Sequence, residues 1–291
     1  MNNLILIAVA VIPALYLLVR VYRADRLEKE PAGLLISLLV LGVVVTFLAS
    51  ITEELGQMLL ASLFPEGGIL YAALLYFVVV ALSEEGFKYL LLKLRTWKSP
   101  DFNCQFDGVV YAVFISMGFA LWENIAYVMR FGFGTAVARA VTAIPGHACF
   151  GVYMGVWYGA AKRCELAGLD EEAALARKRS LLIPVLLHGA YDFIATMQND
   201  IMSILFLVFI SWMFRAALKV VREASARDVP LVQDGPSIRY EPPTASVPPA
   251  RYEPPTRYEP PRDPDPEILP PVQTFDISMQ EPEEPEELPE E

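Results

Sequence analysis

The chain has 291 residues, 55% of them hydrophobic, and a mean hydropathy of +0.40. That is too apolar for a soluble protein and predicts an all-α polytopic protein embedded in the lipid bilayer. The formal charge of -11 reflects an excess of acid concentrated in the C-terminal tail, so no nucleic-acid partner is expected and little is implied about the body of the chain. Cys104, Cys149 and Cys164 are odd in number and lack a C-x-x-C spacing. They predict neither a disulfide framework nor a thiolate metal site.

The first apolar run, Asn3 to Val19, has no basic segment before it and arginines rather than a small-residue cleavage site after it. It predicts a retained span, not a cleaved signal peptide. After the charged stretch Arg20 to Glu30, Pro31 opens a second apolar run to about Ile51. Thr52 to Gly68 carries Glu53, Glu54 and Glu66 but no Lys or Arg, and reads as a short interfacial helix ended by Pro65 and Gly67-Gly68. A third run, Ile69 to Leu92, contains Glu84, Glu85 and Lys88; a fourth, Gly108 to Met129, contains Glu123. The fifth, about Val137 to Ala161, contains His147, and Pro145-Gly146 just before it is expected to loosen the helix and free backbone groups. Lys162 to Ser180 is charged and predicts a short amphipathic helix. The sixth run, Leu181 to Met197, contains His188 and Asp192, and Asn199-Asp200 turns the chain into the last, Ile201 to Leu218.

Lys and Arg cluster after the first, third, fifth and seventh runs and are scarce or absent after the second, fourth and sixth. Because cytoplasmic loops hold the excess of basic residues, this alternation predicts about seven transmembrane helices in the cell membrane, N-terminus outside and C-terminus cytoplasmic. The transmembrane domain is placed at residues 1–224. Residues 225–291 shift to Pro, Glu, Arg and Tyr, with too few aliphatics for a core, and predict a disordered cytoplasmic tail of polyproline II character. Within it Arg-Tyr-Glu-Pro-Pro recurs at Arg239, Arg251 and Arg257, a repeat that could dock a cytoplasmic partner as well as serve as a solvated tether.

Glu84, Glu85, Lys88, Glu123, His147, His188 and Asp192 are all ionisable and all lie in apolar runs. A charge at the bilayer centre costs roughly 2.5–3.5 kcal/mol on insertion scales, so such residues need partners or a use. Helical rise puts Glu84 and His188 about 12–15 Å, and Glu123, His147 and Asp192 about 18–25 Å, from the cytoplasmic edge, close enough in depth to share one pocket. Lys88 stands three and four residues from the two glutamates, so it can neutralise one and leave the other available. His188 and Asp192 share a helix face, as do Phe119 and Glu123. H-E-x-x-H is absent, G-x-S-x-G is absent, and no G-x-G-D accompanies Tyr191-Asp192. Carboxylates and imidazoles remain, which suit general-base activation of water with or without a metal.

Glu84-Glu85-x-x-Lys88, Phe119-x-x-x-Glu123, Pro145-Gly146-His147 and His188-x-x-x-Asp192, in this order, resemble the motifs of the PrsW family of intramembrane proteases, a group related to the CAAX prenyl proteases and bacteriocin-processing enzymes. Glu123 stands where the CAAX relatives have His. The resemblance covers about Ile69 to Met197. It implies cleavage of a membrane-spanning or membrane-adjacent protein, for PrsW itself an anti-sigma factor. On that basis Glu84 or Glu85 is the expected general base. Glu123, His147 and His188 are expected to ligate a divalent metal, zinc by preference, or to position water in a metal-free mechanism, and Asp192 is expected to orient His188. A proton-coupled transporter or ion channel is the rival reading, since buried acid and His chains also build proton relays. No similarity between the two halves of the chain supports it.

Overall fold

A computed structural model describes residues 3–197 and 199–231. The tail with its Arg-Tyr-Glu-Pro-Pro repeats lies outside the described residues. All regular elements within them are helices: α1 (Asn3–Ala24), α2 (Ala32–Leu63), α3 (Ile69–Leu74), a π-helical segment (Leu75–Val80), α4 (Ala81–Thr96), α5 (Asp107–Phe131), α6 (Phe133–Val141), α7 (Ala143–Leu166), α8 (Asp170–Thr196) and α9 (Asp200–Ala226). Five helical stretches are long and apolar enough to cross a membrane: Leu6–Ala24, Ala32–Leu63, Ile69–Thr96, Asp107–Phe131 and Asp200–Ala226. With 24 and 27 residues, α7 and α8 are also long enough, but they carry more polar groups. The chain is an integral membrane protein.

Three boundaries differ from expectation. Thr52 to Leu63 is no separate interfacial helix but the continuation of α2, which runs 32 residues, about 48 Å. Nothing in Thr52 to Leu63 breaks the helix, and Gly56 lies against the Val79 side chain of the π-helical segment, where an added Cβ would come within 2.6 Å. The fifth apolar run is divided at Thr142 into α6 and α7. Pro145 therefore stands in the first turn of α7, where its missing N–H is not needed, and starts this helix rather than loosening it. The charged stretch before the sixth run is no separate helix: it comprises the end of α7, a turn at Gly168 and the beginning of α8. Its three acids in the first turn, Asp170, Glu171 and Glu172, complement the positive end of the helix dipole. The expected turn at Asn199 is present: its side chain accepts the Met202 N–H at 2.9 Å and caps α9.

α7 is the central helix, buried along almost its whole length, with α5 and α8 packed on it. Close packing is possible because glycines face backbone. A Cβ on Gly118 would come within 2.1 Å of the Leu39 carbonyl oxygen, and one on Gly155 within 2.4 Å of the Val109 Cα. Small residues at such crossings let helix backbones approach in a lipid environment, where association relies on van der Waals contact.

At the end of the bundle where α1, α4 and α9 finish, the chain is tied by backbone bonds. Gln105 N–H donates to the Val229 carbonyl at 3.1 Å and Leu231 N–H to the Asn103 carbonyl. Described structure thus continues a few residues beyond position 224. All three cysteines are buried, and burial together with neighbouring carboxylates pushes the Cys104 thiol up to about 12.

Gly118→Ala should lower the thermal stability of the detergent-solubilised protein by about 1–3 kcal/mol through overpacking. Gly33→Ala, where an added Cβ meets nothing within 4 Å, should leave the melting curve within error of the parent.

Candidate active site

Glu84 and Glu85 lie in the first turns of α4, immediately after the π-helical segment, a feature often found at functional sites. Lys88 follows one turn later, fully buried, and donates to Glu85 Oε1 at 2.8 Å and Glu84 Oε2 at 3.2 Å. Its Nζ also lies 3.4 Å from His147 Nδ1 and 3.9 Å from the centre of the Phe119 ring. An ammonium only donates, so His147 Nδ1 presents its lone pair to Lys88. The proton of this imidazole then belongs on Nε2, which donates to Glu123 Oε2 at 3.1 Å.

His188 is held between carboxylates on both sides. Its Nδ1 is 3.0 Å from Glu85 Oε1 and 3.8 Å from Glu84 Oε2, while Nε2 is 3.3 Å from Asp192 Oδ2. The Phe150 ring stacks on it with centroids 4.7 Å apart and planes inclined by 20°. Gly189 leaves room for Phe77 from the π-helical segment, since an added Cβ would come within 2.5 Å of that ring. Both imidazoles therefore turn Nε2 toward an outer carboxylate, while Nδ1 faces the Lys88 ammonium in His147 and Glu85 in His188.

Every residue anticipated from the motifs reaches this one centre, but the inner set differs from the expected Glu123, His147 and His188. One donor atom each from Glu84, Glu85, His147 and His188 lies within 4.8 Å of the others. Glu123 stands behind His147 and receives Arg139 Nη2 at 2.7 Å. Arg139 also donates from Nε to Asn124 Oδ1 at 3.0 Å and lies 4.1 Å from the centre of the Tyr127 ring. Arg139 falls within the fifth apolar run, about Val137 to Ala161, and a lone arginine amid apolar residues is the signal for its role. Glu53 escaped for a different reason. On the extended α2 it lies within electrostatic range of Glu123, His188, Lys88 and Asp192, with Oε1 buried and unbonded. Read as part of an interfacial segment, it gave no sign of facing the centre.

The four inner donors fit a divalent metal. Two imidazole nitrogens and two carboxylates make a suitable set, and Glu85 Oε2 is buried without a partner. An outer carboxylate on the second nitrogen of each imidazole is the usual support of a metal-ligating histidine.

Removal of Lys88 should expose how far the centre depends on it. Breaking a buried charge pair by deleting one partner destabilises by about 3–5 kcal/mol. Lys88→Met should lower stability by that order, whereas Lys219→Met, at an exposed pair with Glu223, should change it by less than about 0.5 kcal/mol; melting in detergent with the same lipid content checks both.

Comparison with known proteins agrees with the geometry. A family model described as PrsW family intramembrane metalloprotease matches residues 30–218. Protease PrsW of Geobacillus kaustophilus is 32% identical over 226 residues, covering 75% of this chain and 92% of that protein. Protease PrsW of Bacillus subtilis is 31% identical over 226 residues, covering 77% and 99%. That of Oceanobacillus iheyensis is 34% identical over 189 residues, covering 65% and 82%. No solved structure matches. The family match begins at Glu30 and so takes in the second apolar run, which the motifs alone did not reach. The likeness thus covers both the helices that carry the charged centre and the helix that brings Glu53 to it, and the chain belongs to the PrsW family of intramembrane proteases.

Proposed function

We propose that this protease hydrolyses a peptide bond of a single-span or membrane-adjacent regulator of the anti-sigma-factor kind, with Glu84 as general base. The observation that carries the reading is the setting of the two imidazoles around the Glu84–Glu85–Lys88 group, each with Nε2 on an outer carboxylate and with Nδ1 on Lys88 in His147 and on Glu85 in His188. Glu85 is fully buried and engaged by both Lys88 and His188, whereas Glu84 retains slight exposure and longer contacts. Glu84 is therefore the carboxylate free to take a proton from water and return it to the leaving amine.

Glu85 has the other task, holding Lys88 and His188 in place. Lys88 keeps positive charge beside the carbon under attack, where the tetrahedral oxyanion develops. Glu123, backed by Arg139, fixes the tautomer and direction of His147, and Asp192 does the same for His188. Glu85 through its unpartnered Oε2, together with His147 and His188, would hold a metal, for which zinc suits the mixed nitrogen and oxygen donors. Such an ion, when bound, supplies Lewis-acid polarisation of the scissile carbonyl and a more acidic water.

Reconstituted with a single-span substrate, the parent should cleave it, and Glu84→Gln should lower the rate by about 10²–10⁴-fold while insertion and melting are retained. A chelator should stop cleavage and zinc restore it. Normal cleavage by Glu84→Gln would remove the base assignment, and chelator-insensitive cleavage would remove the metal.

The orientation proposed with this reading places the N-terminus outside and the C-terminus in the cytoplasm, on the distribution of Lys and Arg among the connections. In a cysteine-free background, an impermeant thiol reagent added outside intact cells should label Ser62→Cys near the end of α2 and spare Lys98→Cys beyond α4, both at exposed positions. The opposite labelling pattern would invert the topology.

A further inference from the structure

Away from the catalytic centre, a second group of carboxylates is buried where the α1–α2 and α4–α5 connections meet. Asp25 follows α1, Glu30 precedes α2 and Asp107 opens α5. Their residue exposures are 2%, 4% and 0%. One oxygen from each lies within 4.8 Å of the others. Along α5, Asp107 is sixteen residues from Glu123, about 24 Å, so this group is separate from the active site.

What distinguishes the two centres is the counter-charge. Lys88 sits among the catalytic carboxylates, but among the described residues no Lys or Arg pairs with Asp25, Glu30 or Asp107. Lys29 is close in sequence, yet its ammonium donates to the backbone carbonyls of Tyr22 and Asp25. The few hydrogen bonds present occupy only one side of each group. Asp107 Oδ2 accepts the N–H groups of Cys104 at 2.7 Å and Asn103 at 3.0 Å, and Glu30 Oε2 accepts the Tyr111 hydroxyl at 2.6 Å. Asp107 Oδ1, Glu30 Oε1 and both oxygens of Asp25 are buried with no partner.

A buried ionised oxygen without a donor is strongly unfavourable, and here several are gathered from separate connections. We propose that Asp25, Glu30 and Asp107 form a binding site for a hard divalent cation, Ca2+ or Mg2+, which pins together the α1–α2 connection and the start of α5. The donors are all oxygen, which selects a hard ion over zinc or copper. The hydrogen-bonded oxygens already orient Glu30 and Asp107, leaving the second oxygen of each for the ion. Asn103 Oδ1, also buried and unbonded, is a neutral oxygen beside the same group. The site has a structural part to play, since the connections it joins lie about 24 Å along α5 from Glu123.

The alternative relief of the repulsion is protonation. Burial pushes the Glu30 carboxyl up to about 7, and a shared proton would need no ion. Equilibrium dialysis of the full-length, EDTA-stripped protein against 45Ca2+ in detergent separates the two. Asp25→Asn is the informative variant because it breaks no side-chain hydrogen bond, and Glu30→Gln provides a second that can still accept from Tyr111. The parent should bind one more ion per chain than Asp25→Asn or Glu30→Gln, and excess Mg2+ should compete for that ion. Added Ca2+ or Mg2+ should raise the melting temperature of the parent and leave that of Asp25→Asn unmoved. Equal ion binding by the parent and both variants, or an equal rise in melting temperature with added ion in the parent and Asp25→Asn, would overturn the assignment, in favour of protonated carboxyls or of an ion held elsewhere.

Discussion

The buried ammonium of Lys88 is the interaction on which the architecture of the site depends. In hydrocarbon neither it nor the two glutamates beside it can be left alone, and one helix cannot satisfy all three. Lys88 therefore contacts α4, α5 and α7 at once through Glu84, Glu85, Phe119 and His147. His188 brings in α8 through Glu85. A deletion that merely removed charge elsewhere would here uncompensate several groups together, so the contacts that hold the fold are those of the proposed active site. This coupling also limits the freedom of the paired glutamates: Glu85 is committed to the network, and Glu84 is the member left nearer to water.

Bringing charged residues from several helices within hydrogen-bond distance requires unusually close backbones. Glycines supply the clearance at the α2–α5 and α5–α7 crossings, where carbonyl oxygens and Cα atoms occupy the space a Cβ would need. The short α6 then contributes what the long helices do not, an arginine that reaches Glu123 and Asn124 from the side. Gly132, with φ of 83°, allows the chain to reverse out of α5 into this segment. The outer layer of Arg139, Glu123 and Asp192 in turn sets how each imidazole is presented. Tight packing, outer carboxylates and inner donors are thus successive layers of one arrangement, not independent features.

The bundle manages its buried acids in two ways. In the centre they are balanced from within the chain by Lys88, Arg139 and the imidazoles. Near the membrane boundary, burial is achieved by connections rather than by helix faces, and the polar atoms are only partly satisfied by backbone N–H groups and a tyrosine hydroxyl. A low-dielectric setting strengthens good hydrogen bonds and penalises missing ones alike. The same physics that makes the central network cohesive leaves the boundary cluster short of positive charge.

Sequence by itself determined the membrane character, the apolar runs and the residues of the centre, because charges in hydrocarbon are rare enough to stand out and helical spacing assigns them to faces. Glu84, Glu85, Lys88, Glu123, His147, His188 and Asp192 were legible for that reason, and helical spacing set Phe119 on the face of Glu123. Helix ends were less legible: hydropathy marks where a membrane ends, whereas α2 continues beyond Ile51 and the fifth apolar run breaks at Thr142. Only tertiary structure decided which groups stand inside and which outside the donor set, moving Glu123 behind His147 and bringing Glu53 and Arg139 to the centre. Those placements arise from helix crossings and from residues far apart in the chain, and a spacing rule confined to one helix carries no information about them. The boundary cluster shows the same limit, since Asp25, Glu30 and Asp107 are ordinary loop and helix-end acids until folding buries them together.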